Sequence, residues 1–241
     1  MKTISGWKWV HKNIPIEQKL KNSNQVKVFG VELINPPQLS INLADFCRHD
    51  TVLVTGDGAT LPADIKDFEA FGVPHDIYCV NRSMLYFQKP INHWGAVDCE
   101  EATWFSENIN GGIKPNGHRI CRHTIGILPW GFDAFWRADN FEDMMGYAKN
   151  IWTGNSAYMA MLVCLEMGYK KIVVAGVPLD TGPHWYEPEG TEGPNWVGKV
   201  YRQWMDFKTK VPGAEKIRSM SGYSGFILQQ PTKEWLNGNT D

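Results

Sequence analysis

Two loops of small, polar residues carry the groups in this sequence that are best suited to holding an anion. The first contains Gly56, Asp57 and Gly58 and follows an apolar run, and the second, residues 153–156, opens a helical pattern. Glycine lets the backbone turn sharply and approach a ligand closely. The first amides of a helix have no partner within it, and the helix dipole favours negative charge there. The two loops together favour binding of a nucleotide phosphate.

A later loop supplies the candidate for acid–base chemistry. Residues 181–195 are rich in glycine, proline and acidic residues and contain His184 and Tyr186. So long a turn-rich loop after a core strand is commonly a functional lid. Histidine is the side chain whose ordinary pKa lies nearest neutral pH, as a general base requires. An ordinary surface histidine would have the same sequence context, so both interpretations stay open.

The helical pattern that follows the second loop is the clearest element of the chain. Apolar residues recur at positions 158, 161, 162 and 165, a spacing that places them on one face of a helix. Gly168 is typical of a helix end, and the β-branched run at 172–175 predicts a buried strand. A polar residue at the helix start also acts as an ordinary N-cap, which leaves capping and anion binding as alternatives. The polar residues at this start are Thr153, Gly154, Asn155 and Ser156.

Polar residues also follow two other strand-like runs. The run at 76–80 ends at Asn81, and the run at 94–98 ends at Asp98. Ligands of open α/β sheets bind at the carboxyl ends of the strands, so Asn81 is well placed for binding, although a turn asparagine is as good an interpretation. Asp57 is suited either to a ribose hydroxyl or to capping its own loop.

Strand and helix patterns alternate along the chain, which favours an α/β fold with a mostly parallel sheet. A strand at 51–54 leads through the glycine loop into a helix for which Thr60 is a candidate N-cap. Further strands are expected at 25–33 and 216–220, helices at 196–209 and 231–236, and a turn of small residues at 221–225.

Three segments fall outside this alternation, and none of them resembles an interdomain linker. Residues 1–24 are polar and mixed, which suggests a loosely held N-terminal arm. Residues 129–150 are aromatic and irregular, and we expect them to form an inserted cap that packs over the site, with 181–195 as the lid. The whole chain, residues 1–241, is therefore expected to form a single domain.

Composition excludes several classes of partner and supports others. The 241 residues have a formal net charge of −2, so duplex nucleic acid is not favoured. The five cysteines show no C-x-x-C pairing, which is typical of reduced, mostly buried thiols in a cytosolic protein. The sequence has neither an apolar run long enough to span a membrane nor an apolar signal core. We expect a cytoplasmic protein, for which a homo-oligomer is compatible with the sequence.

The combination of these motifs resembles bacterial lipooligosaccharide sialyltransferases and a wider Rossmann-like group. That group includes archaeal 6-hydroxymethylpterin diphosphokinase and flagellin-glycosylation proteins. The resemblance covers about residues 50–190 and rests on the loop at 56–58, the strand end at 79–81, the polar helix start at 153–156 and the Gly-Tyr-Lys-x-Ile pattern from Gly168 to Gly176. It implies a Rossmann-like three-layer sandwich with a mostly parallel central sheet.

The resemblance to sialyltransferases implies transfer of a sugar from a cytidine monophosphate donor to a small-molecule or glycan acceptor, without a metal. By that resemblance Tyr186 holds the phosphate and His184 is the catalytic base. We expect His184 to deprotonate the acceptor. Donors from Gly58, Asn155 and Ser156 and the hydroxyl of Tyr186 are expected to stabilise the charge that builds on the leaving phosphate. The nucleotide-binding residues that the resemblance implies are Gly56, Gly58, Asn81, Thr153, Asn155 and Ser156. Asp57, which stands where the family has an asparagine, and Gly154 are further candidates from the two loops themselves.

Two other functions are kept as alternatives. The resemblance to the pterin kinase implies pyrophosphate transfer from a nucleoside triphosphate with Mg²⁺, for which Asp57, Asp98 and Asp180 are candidate oxygen ligands. A nucleotide-binding protein without turnover is the second alternative. Another Rossmann-like enzyme, such as a methyltransferase, is less favoured because Asn81 stands where such an enzyme usually has an acid.

Overall fold

The computed structural model describes residues 47–87, 91–95, 155–193 and 197–238, together with the backbone of five short strands elsewhere. Those strands are β1 (Trp7–Lys8), β2 (Lys19–Leu20), β3 (Gln25–Val28), β4 (Val31–Ile34) and β8 (Phe135–Trp136). β1 pairs antiparallel with β8, and β2, β3 and β4 form an antiparallel sheet in that order.

The single strand expected at 25–33 is therefore wrong, because the chain forms two strands with Val28 opposite Val31. Gly30 lies between them in the sequence. The remaining residues of the expected arm at 1–24 and of the expected cap at 129–150 lie outside the described residues.

A five-stranded, all-parallel sheet forms the centre of the described fold. Its strands are β5 (Thr51–Thr55), β6 (Asp76–Val80), β7 (His93–Gly95), β9 (Lys171–Ala175) and β10 (Ile217–Ser219). Their spatial order is β10-β9-β5-β6-β7, so the chain proceeds outward in one direction from β5 and in the other from β9. The predicted parallel α/β sheet is confirmed, and the reversal of direction occurs between β5 and β9.

Helices cover both faces of this sheet, because its central strands are buried on both sides and carry almost continuous apolar side chains. The helices α1 (Leu61–Glu69) and α5 (Lys233–Leu236) pack on the face that includes Leu53. The other face, which includes Val52 and Val54, is covered by α2 (Ser156–Met167), α3 (Val197–Lys210) and α4 (Gly222–Leu228). In the described part of the chain, no helix combines the length and the apolar character that a membrane crossing requires.

Helix α2 differs from the amphipathic helix expected from its sequence. Met159, Ala160 and Val163 are as deeply buried as the residues of the expected face. α2 packs on the sheet with one side and against α3 with the other, where the rings of Tyr158 and Phe207 meet edge to face at 4.8 Å. A helix that is apolar on all sides is typical of such an interior position. Its predicted end at Gly168 is confirmed, with φ of 92°.

Two smaller expectations are also corrected. The small residues at 221–225 form the start of α4 instead of a turn, and a Cβ on Gly225 would make a tight contact, 3.0 Å, with the carbonyl oxygen of Ser219. Thr60 precedes α1, but its hydroxyl donates to Asp64 at 2.8 Å and makes no capping bond. The third strand expected at 94–98 is β7, residues 93–95.

The three cysteines in the described ranges are free, and two of them are fully buried, as the sequence predicts. Burial raises the pKa of Cys79 to about 12. The same cause raises the pKa of Cys47 to about 11 and holds that of Cys164 well above its ordinary value. Because the thiolate is the reactive form, these thiols are chemically quiet near neutral pH.

A buried carboxylate organises the amino end of the sheet. Asp76 is fully buried at the start of β6 and accepts hydrogen bonds from the backbone amide of Arg48 at 2.7 Å, the hydroxyl of Tyr169 at 2.8 Å and the side chain of Asn92 at 3.0 Å. Since the Tyr169 hydroxyl donates to Asp76, its oxygen is left to accept from Nε2 of His93 at 2.7 Å. Backbone and side-chain donors thus compensate for the burial of the charge.

We predict that Tyr169→Phe lowers the free energy of unfolding by about 1–3 kcal/mol, because Asp76 and His93 each lose a hydrogen-bond partner in a buried site. Tyr223→Phe removes the same atom from a side chain that is 58% exposed and should change stability by less than about 0.5 kcal/mol. Urea denaturation of both variants measures the difference. Equal losses would mean that the network stabilises the fold no more than a surface hydroxyl does.

Candidate functional site

A cleft of about 150 Å³ lies at the carboxyl ends of β5, β6 and β9, beside the start of α2. It is at the point where the strand order reverses, which is where open α/β sheets bind their ligands. The cleft brings together most of the site residues predicted from the sequence. Those that line it are Gly56, Asp57, Gly58, Asn81, Asn155, Ser156, Asp180 and His184.

Four predicted site residues are not among the described residues that line the cleft. Thr153, Gly154 and Asp98 lie outside the described residues. Tyr186 does not line the cleft, and its ring stacks on that of His184 with centroids 5.3 Å apart and planes 4° from parallel. Tyr186 therefore supports the imidazole in this structure, and its expected contact with a phosphate stays a prediction.

The amides of the glycine bend are used within the protein. The amide of Gly56 donates to the carbonyl of Ala175 at 2.8 Å, and that of Gly58 donates to the carbonyl of Gly176 at 2.7 Å. These bonds tie the loop after β5 to the loop after β9. The expectation that the Gly58 amide donates to a phosphate is corrected, because its hydrogen already has a close acceptor in the neighbouring loop.

The glycines of the bend are required by the close approach of these two loops. A Cβ on Gly56 would lie 2.5 Å from Cγ2 of Val177, and a Cβ on Gly58 would overlap Cδ of Pro178. Gly176 has φ of +68°, and a Cβ there would lie 2.6 Å from the carbonyl oxygen of Gly56. The glycine pattern read from the sequence thus reflects packing of backbone against backbone as well as any approach to a ligand.

Unusual backbone conformations are concentrated in the cleft. Of the described residues other than glycine, three have positive φ, and two of these, Asn81 at 50° and Leu179 at 56°, line the cleft. Positive φ is uncommon outside glycine, and such residues cluster at binding and catalytic sites. The carbonyl of Asn81 accepts a hydrogen bond from the Trp94 indole at 2.7 Å, which helps to hold this conformation.

The side-chain amide of Asn81 contains a buried acceptor. Its Oδ1 atom has no hydrogen-bond partner among the described residues. A buried carbonyl oxygen without a partner costs free energy, which a ligand hydroxyl or amine would recover. The strand-end residue that the sequence indicated thus carries a buried oxygen for which the described residues supply no donor.

The start of α2 combines the two interpretations that the sequence left open. Asn155 is the N-cap, since its Oδ1 accepts from the amide of Tyr158 at 2.9 Å. Ser156 and Ala157, the first helical residues, line the cleft. The amide of Ala157 has no acceptor within the helix, because it lies in the first turn. Capping by Asn155 is confirmed, and it leaves the positive end of the helix dipole at the cleft.

A carboxylate that the sequence did not single out orients the candidate base. Oε2 of Glu187 lies 2.9 Å from Nδ1 of His184 and also accepts from the His184 backbone amide at 2.8 Å. These bonds hold the pKa of Glu187 below its usual range, the backbone bond contributing most. Because a carboxylate only accepts, Nδ1 carries a proton and Nε2 is left for a substrate. The only signal of this pair in the sequence is that Glu187 follows His184 by three positions in a turn-rich loop.

The loop that carries His184 is fixed to the glycine bend. His184 and Gly58 form an isolated antiparallel bridge. On either side of it, the amide of Trp185 donates to the carbonyl of Asp57 at 2.8 Å, and the amide of Ala59 donates to the carbonyl of Pro183 at 3.1 Å. Residues 183–185 are thus held in register along the bend. Closure of 181–195 as a lid stays a prediction.

The charged side chains that line the described part of the cleft are acidic. Asp57 and Asp180 contribute carboxylates, and the lining residues include no lysine or arginine. Arg82 is next to the cleft, with its guanidinium over the ring of Tyr186 at 5.8 Å and its amide 3.3 Å from a carboxylate oxygen of Asp57. Within the described ranges, no group of three or more histidine, cysteine or acidic residues is arranged to hold a metal.

Comparisons with models of protein families, with curated proteins and with solved structures returned no match. The function is therefore inferred from the cleft itself and from the sequence motifs that form it. The motif resemblance described above stays a prediction beside this geometry.

We predict that Gly58→Ala lowers the free energy of unfolding by about 1–3 kcal/mol, because the added methyl overlaps Pro178 and separates two packed loops. Ala59→Ser changes the exposed neighbour and should shift stability by less than about 0.5 kcal/mol. Chemical denaturation of the two variants beside the wild type measures both effects. A Gly58→Ala variant as stable as Ala59→Ser would contradict the close contact of the loops.

Proposed function

We propose that this protein is a transferase that uses a nucleotide-activated donor. The observation that carries the proposal is the meeting of the glycine bend, Asn81, the start of α2 and the His184–Glu187 pair in one cleft. Such a site supplies a cleft-lining asparagine, a helix N-terminus for an anion and an oriented base. Ligand clefts are expected at this place in an open sheet.

The arrangement of the sheet supports a Rossmann-like fold. Numbered by their order along the chain within this sheet, the five parallel strands lie in the order 3-2-1-4-5, which is the order of nucleotide-binding doubly wound sheets. Helices on both faces agree with a three-layer sandwich. Fold alone does not determine function, so the proposal depends on the cleft.

The charge of the cleft favours a donor with one phosphate charge. A helix N-terminus offers the equivalent of about half a positive charge. The described lining adds two carboxylates and no side-chain cation, so a triphosphate would be repelled unless a cation came with it. A nucleoside monophosphate sugar carries a single charged phosphodiester. This charge balance agrees with the donor that the motif resemblance implies, so we propose a sialyltransferase-like glycosyltransferase with a cytidine monophosphate sugar as donor and no required metal.

In the proposed reaction, Nε2 of His184 takes the proton of the acceptor hydroxyl. The acceptor oxygen forms a bond to the anomeric carbon of the sugar, and the bond from that carbon to the phosphate oxygen breaks. The electron pair stays on the phosphate, which leaves as a nucleoside monophosphate beside the start of α2. Glu187 stabilises the imidazolium and keeps Nε2 directed away from itself.

A pyrophosphokinase-like reaction is the second candidate, and one observation favours it. Asp57 and Asp180 both line the cleft, and carboxylate oxygens are the ligands that Mg²⁺ prefers. A magnesium ion would neutralise the repulsion between these carboxylates and a triphosphate. A nucleotide-binding protein without turnover is the third candidate.

A thermal-shift screen distinguishes these candidates. Nucleoside mono-, di- and triphosphates and nucleotide sugars are compared with and without Mg²⁺, since a ligand of the native state raises the melting temperature. Stabilisation by cytidine monophosphate without metal supports the glycosyltransferase. Stabilisation by a purine triphosphate only with Mg²⁺ supports the kinase-like reaction. If no nucleotide shifts the melting temperature, the proposed function is wrong.

We predict that His184→Ala lowers kcat by about 10²–10⁴-fold, the usual contribution of a general base, with little change in donor affinity. Glu187→Gln should cause a smaller loss because the imidazole keeps its place but loses the charge that stabilises its protonated form. His49→Ala, at an exposed histidine near the opposite end of the sheet, is the matched control. Steady-state kinetics and nucleotide titration measure the two effects, and equal loss of both would remove His184 from the mechanism.

A further inference from the structure

A second buried carboxylate lies beneath the cleft, and none of the motifs above includes it. Asp64 of α1 is only 7% exposed and does not line the cleft. Its Oδ2 atom accepts from the backbone amide of Gly176 at 2.8 Å, from the hydroxyl of Thr60 at 2.8 Å and from the hydroxyl of Ser221. Three donors thus converge on one oxygen, an arrangement that a carboxylate supports better than a neutral amide oxygen.

Ser221 extends this contact to the next residue of the cleft loop. Its hydroxyl donates to Asp64 and accepts from the amide of Val177 at 3.0 Å. Ser221 is fully buried and directly precedes α4. The backbone amide of Gly176 therefore donates to Asp64, and the next amide, that of Val177, donates to Ser221. The Asp64–Ser221 pair thus connects α1, the loop after β9 and the start of α4.

The pair reaches the candidate base through a single further residue. The carbonyl of Gly176 accepts from the amide of Gly58, and Gly58 is bridged to His184. A displacement of the Gly176 peptide would therefore move the cleft wall and the loop that carries the imidazole together. Asp64 itself does not line the cleft and contacts it only through the residues that it holds.

We infer that Asp64, with Ser221, is a positioning pair for the reaction, an inference that rests on the proposed function. It holds the Gly176–Val177 backbone, and through Gly58 it sets the place of His184 relative to the bound donor. A displacement of about 1 Å in such a site costs on the order of a hundredfold in rate. A carboxylate that only stabilised the fold would change the amount of folded protein and not the turnover of each folded molecule.

The test compares Asp64→Asn with Asp67→Asn, which removes the same charge from an exposed position of the same helix. Amide hydrogen exchange followed by NMR reports on Gly58, Gly176 and Val177, and kinetics report kcat and KM for each folded enzyme. For Asp64→Asn we expect exchange at these amides to be about tenfold faster and kcat about ten- to a hundredfold lower. KM for the donor should change by less than about threefold, and exchange in α2 should stay as in the wild type.

Unchanged exchange at Gly58 and Gly176, or unchanged kcat per folded molecule, would overturn the inference. If Asp64→Asn does not fold, Ser221→Ala serves in its place, because it keeps the carboxylate while removing one of its three donors and the acceptor of the Val177 amide, where faster exchange is then expected. If the wild type neither binds a nucleotide nor forms product, the proposed function fails. Hydrogen exchange then still decides whether Asp64 positions the two loops.

Discussion

The site depends on the contact between the backbone turns that follow β5 and β9. At the point of contact the two turns are too close for a side chain on either of them. β5 and β9 are parallel neighbours, so the loops that follow them leave the sheet side by side. Glycines at 56, 58 and 176 let these loops approach until amide meets carbonyl. The cleft, the bridge to the histidine loop and the contact with Asp64 all form on this joined pair of loops.

Buried carboxylates hold the sheet at both of its ends by the same means. Asp76 near the amino ends and Asp64 near the carboxyl ends each accept from a backbone amide and from a hydroxyl. For both, the hydrogen bonds in the described part of the structure come from neutral donors, so the charge is compensated by dipoles. Such contacts are directional, and each fixes a loop that periodicity in the sequence leaves undetermined.

Local sequence patterns predicted the elements that depend on continuous burial. The apolar runs at 51–54 and 172–175 are strands, and the end of α2 at Gly168 follows from the left-handed conformation that glycine favours. The strand-end rule also placed Asn81 correctly in the cleft. These features are set by neighbours in the chain and by the general geometry of parallel sheets.

The features that the sequence did not reveal depend on contacts between distant residues. The amides of Gly56 and Gly58 bond to a loop more than a hundred positions away, so their use within the protein has no local signal. In the sequence, Asp64 is an ordinary acidic residue near the start of a helix. Its structural role depends on a contact with Ser221, which lies far away in the chain. The one-faced pattern expected for α2 failed because α3 covers its outer side, which the helix sequence alone does not specify.

The left-handed backbone of Asn81 has a consequence for how this chain tolerates change. Asparagine is among the residues that accept this conformation at modest cost, but glycine accepts it at less. Selection for thermal robustness alone would therefore favour glycine at position 81 and discard a side-chain oxygen that is buried without a partner among the described residues. Homologues that keep asparagine at this position would have retained ligand recognition at a cost in stability. Homologues with glycine there would have lost that ligand recognition.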